Sequence, residues 1–275
     1  MNTASMTAGT TAGRRVALVT GSSRGIGRAI LERLGEDHDC VVHYRSDRDA
    51  ALAVAAGLEQ RGARTLVFPA DLSSTEQIDE LLGAVRGEFG RLDTLVTSAA
   101  ATKFAPVLSL EPRHVDRTMA TVVSSYVQLA RGLSELLVGP GGRVIAIGGL
   151  DARFAQSGHG LLGAAKAALE ALTRSVAVEL ASAGATANVV VPGAIDTDSL
   201  DLYFRDGDQG SDSPARRAMV GGTPAGRLGT PADVAELVAF LASPAGAFVT
   251  GQVLVTDGGA SAEGGAWSQF RDLWS

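Results

Sequence analysis

The stretch "RVALVTGSSRGIGRAI" at residues 15–30 decides the fold. An apolar run over 15–20 passes into a glycine-rich turn and then into a helical pattern. A short strand that is apolar on both faces belongs inside a parallel sheet covered on both sides. Gly21, Gly25 and Gly27 suit a tight strand–turn–helix junction. Such a junction leaves backbone N–H groups at the positive end of the following helix, where a phosphate can approach closely.

The pattern continues along the chain. Apolar runs at 40–44, 64–70, 92–99, 142–149, 185–192 and 251–258 read as further buried strands. Amphipathic segments lie between them, such as "SSTEQIDELLGAVRGEFG" at 73–90, with Ser74 and Asp71 as candidate caps. This alternation predicts right-handed crossovers and an α/β fold, with helices on both faces of a parallel sheet. Residues 1–13 read as a disordered lead-in and 14–275 as one domain. The polar, glycine-rich segment 199–229 is the expected substrate loop.

Composition excludes several classes. The chain of 275 residues is 45% hydrophobic and 20% charged, which suits a globular core. A net charge of -6 without a basic run argues against nucleic acid as a partner. Cys40 is the only cysteine, and His38, His43, His114 and His159 lack metal-ligand spacing, so neither a disulfide nor a metal site is expected. The N-terminal residues hold no apolar core for a signal peptide, and no apolar run is long enough to span a membrane. A cytoplasmic location is the expectation.

The second strand carries the next clue. It ends in "VVHYRSDR", where a carboxylate would bind a ribose 2′-hydroxyl and repel a 2′-phosphate. Arg45 stands there instead, with Arg24 inside the glycine loop as a second cation. The forked donors of arginine suit phosphate, so NADP(H) is expected over NAD(H). The competing reading leaves Arg45 solvating a strand end.

With these residues in place, the sequence resembles the short-chain dehydrogenase/reductase family over nearly its whole length. "TGSSRGIG", Asp71-Leu72, "AAKAALEALTRSVAVEL" (164–180), "VPGAIDT" (191–197) and "GQVLVTDGG" (251–259) stand in family order. The divergent enoyl-acyl-carrier-protein reductases are the most similar branch. The resemblance implies a doubly wound, seven-stranded Rossmann sheet with a nicotinamide dinucleotide at the strand ends. By it, Gly21, Ser23, Arg24, Gly25, Ile26 and Gly27 form the phosphate loop, and Asp71 and Leu72 contact the adenine. Ile195 and Thr197 flank the nicotinamide carboxamide, Pro192 and Gly193 also bind the cofactor, and Lys166 holds the nicotinamide ribose hydroxyls. A homotetramer or homodimer built on helices at about 111–138 and 159–182 is implied as well.

The family's carbonyl chemistry does not carry over residue by residue. Motif alignment puts Leu162 at the tyrosine position, Gly149 at the serine and Val122 at the asparagine, and none of these side chains donates a proton. Divergent enoyl reductases place their tyrosine seven residues before the lysine, which gives His159 here. Imidazole can donate a hydrogen bond or a proton, so His159 is the candidate to polarise a substrate carbonyl, with Asp151 able to orient it. The bland readings are a solvated histidine and a surface-loop carboxylate. Tyr126, Lys103 and Tyr203 are weaker candidates for the same pocket.

The expected activity is NADPH-dependent reduction of a hydrophobic enone or enoyl compound, either free or carrier-bound. Non-redox chemistry on the same fold, or a catalytically silent cofactor-binding partner, are the alternatives. The tail residues Trp267, Phe270 and Trp274 could cover a neighbour's pocket or pack on their own core.

Overall fold

A computed structural model describes residues 13–137, 141–198, 200 and 213–263. Its strands are β1 (Arg15–Thr20), β2 (His38–Tyr44), β3 (Thr65–Pro69), β4 (Thr94–Thr97), β5 (Arg143–Ile147), β6 (Thr186–Pro192) and β7 (Val253–Thr256). The helices are α1 (Gly25–Leu34), α2 (Arg48–Glu59), α3 (Thr75–Phe89), α4 (Pro112–Met119), α5 (Ser125–Leu133), α6 (Gly160–Ala181), α7 (Pro214–Gly221) and α8 (Pro231–Ala242). The strands form one sheet in the order β3-β2-β1-β4-β5-β6-β7. Every pairing is parallel.

Alternation along each strand explains the continuous apolar runs. Val16 and Leu18 of β1 face a core shared with α3, α5 and α6, where Leu81, Leu129 and Leu169 are buried. Ala17 and Val19 face the opposite core, closed by Leu31, Leu58 and Val238 of α1, α2 and α8. Successive side chains of a strand point to opposite faces, so a sheet covered on both sides needs both sets apolar. The strand order reverses between β1 and β4, and the carboxyl ends of these strands open the crevice where a ligand sits in such sheets.

Four local features differ from the expectation. Strand β2 begins at His38 rather than residue 40. The polar pair survives burial because His38 Nδ1 lies 3.0 Å from the Leu34 carbonyl, and Asp39 accepts from the Arg64 N–H at 2.9 Å. The helix expected across 111–138 is instead α4 and α5 joined by a wide π turn at Ala120–Ser124. Ser125 Oγ donates to the Thr121 carbonyl at 2.6 Å there, competing with the helical ladder.

Helix α7 lies inside the segment read as irregular. Its start was signalled by Ser213-Pro214, an N-cap followed by a first-turn proline, with Ser213 Oγ accepting from the Arg216 N–H at 3.2 Å. Ser74 does cap α3, accepting from the Gln77 N–H at 3.3 Å. Asp71 does not; it accepts from the N–H and hydroxyl of Ser73, at 2.9 and 2.7 Å, and closes the preceding turn. The lead-in over 1–12, Tyr203, Trp267, Phe270 and Trp274 lie outside the described residues.

Candidate active site

The carboxyl ends of β1 to β6 enclose a cleft of about 880 Å³. Its floor is tied at the strand reversal, where Thr20 Oγ1 accepts from the N–H groups of Ser98 and Ala99, at 3.0 and 3.1 Å. At one end the glycine loop leads into α1. A Cβ on Gly27 would lie 2.4 Å from the Gly21 carbonyl oxygen, so only glycine lets the helix start pack onto the strand end. The first-turn N–H groups of α1 lack intrahelical partners by construction, and Arg24 sets the helix start without a side-chain cap. Arg24 and Arg45 are exposed at this rim.

Beside them, Asp71 lines the cleft with the buried Leu72. The Ser73 hydrogen bonds hold the Asp71 carboxyl below its usual range, and Arg117 and Arg45 add attraction. Arg117 reaches Asp71 from α4 at 3.5 Å. Sequence spacing gives no hint of that contact, because only the fold brings the two segments together. The opposite wall is the β6 end, where Pro192, Gly193, Ile195 and Thr197 all line the cleft. The Asp196 N–H donates to the Gly229 carbonyl at 2.8 Å, which fixes this turn.

The deep end holds Lys166, Asp151 and His159 together. Lys166 projects from α6, and its Nζ donates to the Ile147 carbonyl at 2.6 Å. Burial pushes the ammonium down to about 8, while the Asp151 charge pulls the other way. Asp151 is no surface carboxylate, for its side chain is only 7% exposed and Oδ2 lies 3.3 Å from His159 Nδ1. The His159 ring also packs on Phe104, centroids 4.8 Å apart.

Gly149 explains how the carboxylate fits. A Cβ at Gly149 would lie 2.4 Å from Asp151 Oδ1 and 3.6 Å from Lys166 Cγ. The Asp151 carboxylate therefore occupies the space that a side chain at residue 149 would need.

The cofactor candidates and the three main catalytic candidates from the sequence line this one cleft: Gly21, Ser23, Arg24, Gly25, Ile26, Gly27, Arg45, Asp71, Leu72, Asp151, His159, Lys166, Pro192, Gly193, Ile195 and Thr197. Leu162 lines it too. Tyr126 does not reach it; the ring is buried in the core, and its hydroxyl accepts from Thr173 Oγ1 at 3.0 Å. Lys103 is exposed and away from the lining. The sequence reading missed His43, Thr121, Gln156 and Met219, all of which line the cleft. His43 had a signal, being a polar residue inside an apolar strand.

Comparison with known proteins agrees with this geometry. The profile of the family described as enoyl-(acyl carrier protein) reductase matches residues 21–261. The chain belongs to the short-chain dehydrogenase/reductase family. It is 35% identical to 1-cyclohexenylcarbonyl-CoA reductase of Streptomyces collinus over 249 residues, 90% of this chain and 87% of that one. It is also 35% identical to 3-oxoacyl-(acyl-carrier-protein) reductase FabG of Vibrio cholerae, over 89% of this chain and 96% of the other. A short-chain dehydrogenase from Burkholderia cenocepacia, solved in complex with NADP, superposes with a TM-score of 0.82 at 33% identity, covering 90% of this chain and 98% of that one. The protein is thus an oxidoreductase of this family by descent and by fold. Among the described residues no helix is long and apolar enough to cross a membrane. Among the same residues no cluster of His, Cys, Asp or Glu could hold a metal ion.

Proposed function

We infer that the protein is an NADPH-dependent reductase that saturates the C=C bond of a hydrophobic enoyl thioester, with His159 serving the substrate carbonyl. The observation that carries this reading is the His159–Asp151 pair, 3.3 Å apart, beside the buried Lys166. The similarity to a 1-cyclohexenylcarbonyl-CoA reductase supports the thioester and the conjugated double bond. The glycine loop, the α1 N-terminus and the Arg24 and Arg45 cations fit a 2′-phosphorylated dinucleotide. When bound, NADPH supplies the hydride to the β-carbon.

The residues of the chain do the rest. Lys166, anchored on the Ile147 carbonyl, would hold the ribose hydroxyls with its remaining donors. Asp151 accepts at His159 Nδ1 and fixes the ring plane against Phe104. With Nδ1 turned to Asp151, the other ring nitrogen, Nε2, serves as the donor to the carbonyl oxygen, where negative charge develops. The enolate collapses by taking a proton at the α-carbon, from His159 or from water. Leu150, Leu162, Leu200 and Met219 give the cleft an apolar wall for the acyl group, and the exposed Val107, Leu108 and Phe154 suit a hydrophobic or carrier-borne chain. Exposed Val127 on α5 and Val178 on α6 support a homodimer or homotetramer built on those helices.

The test is NADPH oxidation by the purified protein with 1-cyclohexenylcarbonyl-CoA, set against acetoacetyl-CoA. Consumption with the conjugated thioester, lost in His159→Ala, is the expected result. Preference for the ketone, or full turnover by His159→Ala, would overturn the assignment. Tight NADPH binding without oxidation would instead favour non-redox chemistry in this cleft, or a silent cofactor-binding partner.

A further inference from the structure

His43 is buried, lines the cleft and has no part in the chemistry above. It stands at the end of β2, between the two loops that flank the adenine end. Its Nδ1 lies 2.9 Å from the Gly21 backbone nitrogen, and its Nε2 lies 3.1 Å from the Ala70 carbonyl oxygen. Its own backbone is tied to the same loop. The Ser22 N–H donates to the His43 carbonyl at 2.9 Å, and the His43 N–H donates to Ser22 Oγ at 3.0 Å.

These partners fix the ring's state without appeal to any titration. A backbone N–H only donates, so Nδ1 must be a bare acceptor. A carbonyl only accepts, so Nε2 must carry the proton. The imidazole is neutral, with both nitrogens satisfied, and burial pushes its protonation down to about 4.

The Gly21 N–H therefore points at the imidazole and is not a donor for phosphate. The phosphate loop and the Ala70–Asp71–Leu72 segment are instead held at a fixed separation by one aromatic ring. We propose that His43 is a positioning residue for the dinucleotide: its neutral ring joins the glycine loop to the β3 end, setting the spacing between the pyrophosphate and adenine subsites. This rests on the dinucleotide reading of the cleft, and goes beyond it by assigning a role to a residue outside the phosphate and ribose contacts.

The variant His43→Phe keeps a ring in the core but gives the Gly21 N–H and the Ala70 carbonyl no partner. NADPH affinity, read by fluorescence titration, is expected to fall about tenfold or more, the cost of orphaned buried polar groups. The loss should appear in the KM for NADPH more than in kcat. In His43→Asn, Oδ1 stands where Nδ1 stood and can accept from Gly21, but nothing reaches Ala70. Its affinity should fall between those of wild type and His43→Phe.

Nitrogen-15 NMR of the wild-type ring at pH 7 is an independent check, and it needs no variant to fold. A proton on Nε2 alone is expected; a proton on Nδ1 overturns the proposal. So does wild-type NADPH affinity in His43→Phe or in His43→Asn. If wild-type protein binds no NADPH, the dinucleotide reading falls and this inference with it, which separates the two failures.

Discussion

Placing a serine at residue 149 should damage the enzyme rather than improve it. The Cβ of Gly149→Ser would sit 2.4 Å from Asp151 Oδ1. Ordinary contact begins near ~3.5 Å, so the carboxylate must withdraw by roughly 1 Å. The contact it makes with His159 is already 3.3 Å, at the long end for a hydrogen bond, and that withdrawal breaks it. A hydrogen bond to a charged group contributes about 1.5–3 kcal/mol, which corresponds to a roughly 10- to 150-fold fall in kcat/KM for the conjugated thioester. The atom that must move is the free end of the Asp151 side chain and not backbone, so stability should fall by less than about 1 kcal/mol, a Tm loss of no more than about 2–4 °C. The conflict lies at Cβ, so Gly149→Ala should behave like Gly149→Ser, although alanine adds no hydroxyl. Both follow from NADPH oxidation assays and thermal melts. A Gly149→Ser variant that gains ketone reduction while keeping its rate on the enoyl thioester would show residue 149 to be a vacant serine position and not the seat of a carboxylate.

Three further outcomes are expected. Asp151→Asn should slow enoyl reduction by the same roughly 10- to 150-fold, and the Gly149→Ser/Asp151→Asn double variant should be little worse than either single one, since all remove one interaction. It should also let the Lys166 ammonium titrate below its present value of about 8, because the Asp151 charge is what opposes the burial effect. Arg45→Asp should weaken NADPH binding about tenfold or more relative to NADH, as a carboxylate repels the 2′-phosphate. On acidification the unfolded chain takes up a proton near the ordinary histidine value, while native His43 resists until about pH 4. Stability should therefore fall with pH between about 6.5 and 4, by roughly 3 kcal/mol from this residue alone. His43→Asn, compared with wild type by urea denaturation at pH 4.5 and 7, should show a flatter pH dependence, and an unchanged slope would remove the assignment.

Much of this architecture was legible because short-range physics carries it. β-branched runs, glycine punctuation and amphipathic spacing each report local geometry, and each strand appeared within a few residues of its expected place. Where boundaries slipped, tertiary contacts were responsible. His38 and Asp39 precede the apolar run at 40–44, yet enter β2 because Leu34 and Arg64 supply their partners. The π turn over Ala120–Ser124 has no separate sequence signature, since every residue in it also suits an ordinary helix. The site was legible where motifs run along the chain, as in the glycine loop and the segment around Lys166. It was opaque where partners are remote: Arg117 reaching Asp71, and His43 reaching Gly21 and Ala70. Asp151 lay between these cases. Its place after β5 pointed to the cleft, but only the space left by Gly149 shows why a carboxylate can be buried there.

That burial bears on which reaction the site favours. A carboxylate beside a reacting carbonyl opposes the growth of negative charge on oxygen unless positive charge balances it. His159 and Lys166 are the groups beside it, one 3.3 Å from Asp151 and the other within reach of its charge. An alkoxide from a ketone concentrates its charge on one oxygen and must take a proton as it forms. An enolate from a conjugated thioester spreads that charge from oxygen to the α-carbon, so a single oriented hydrogen bond serves it and its proton can arrive later. The group of His159, the buried Asp151 carboxylate and a lysine bonded to the Ile147 carbonyl suits the second demand, that of the proposed enoyl reduction, better than the first.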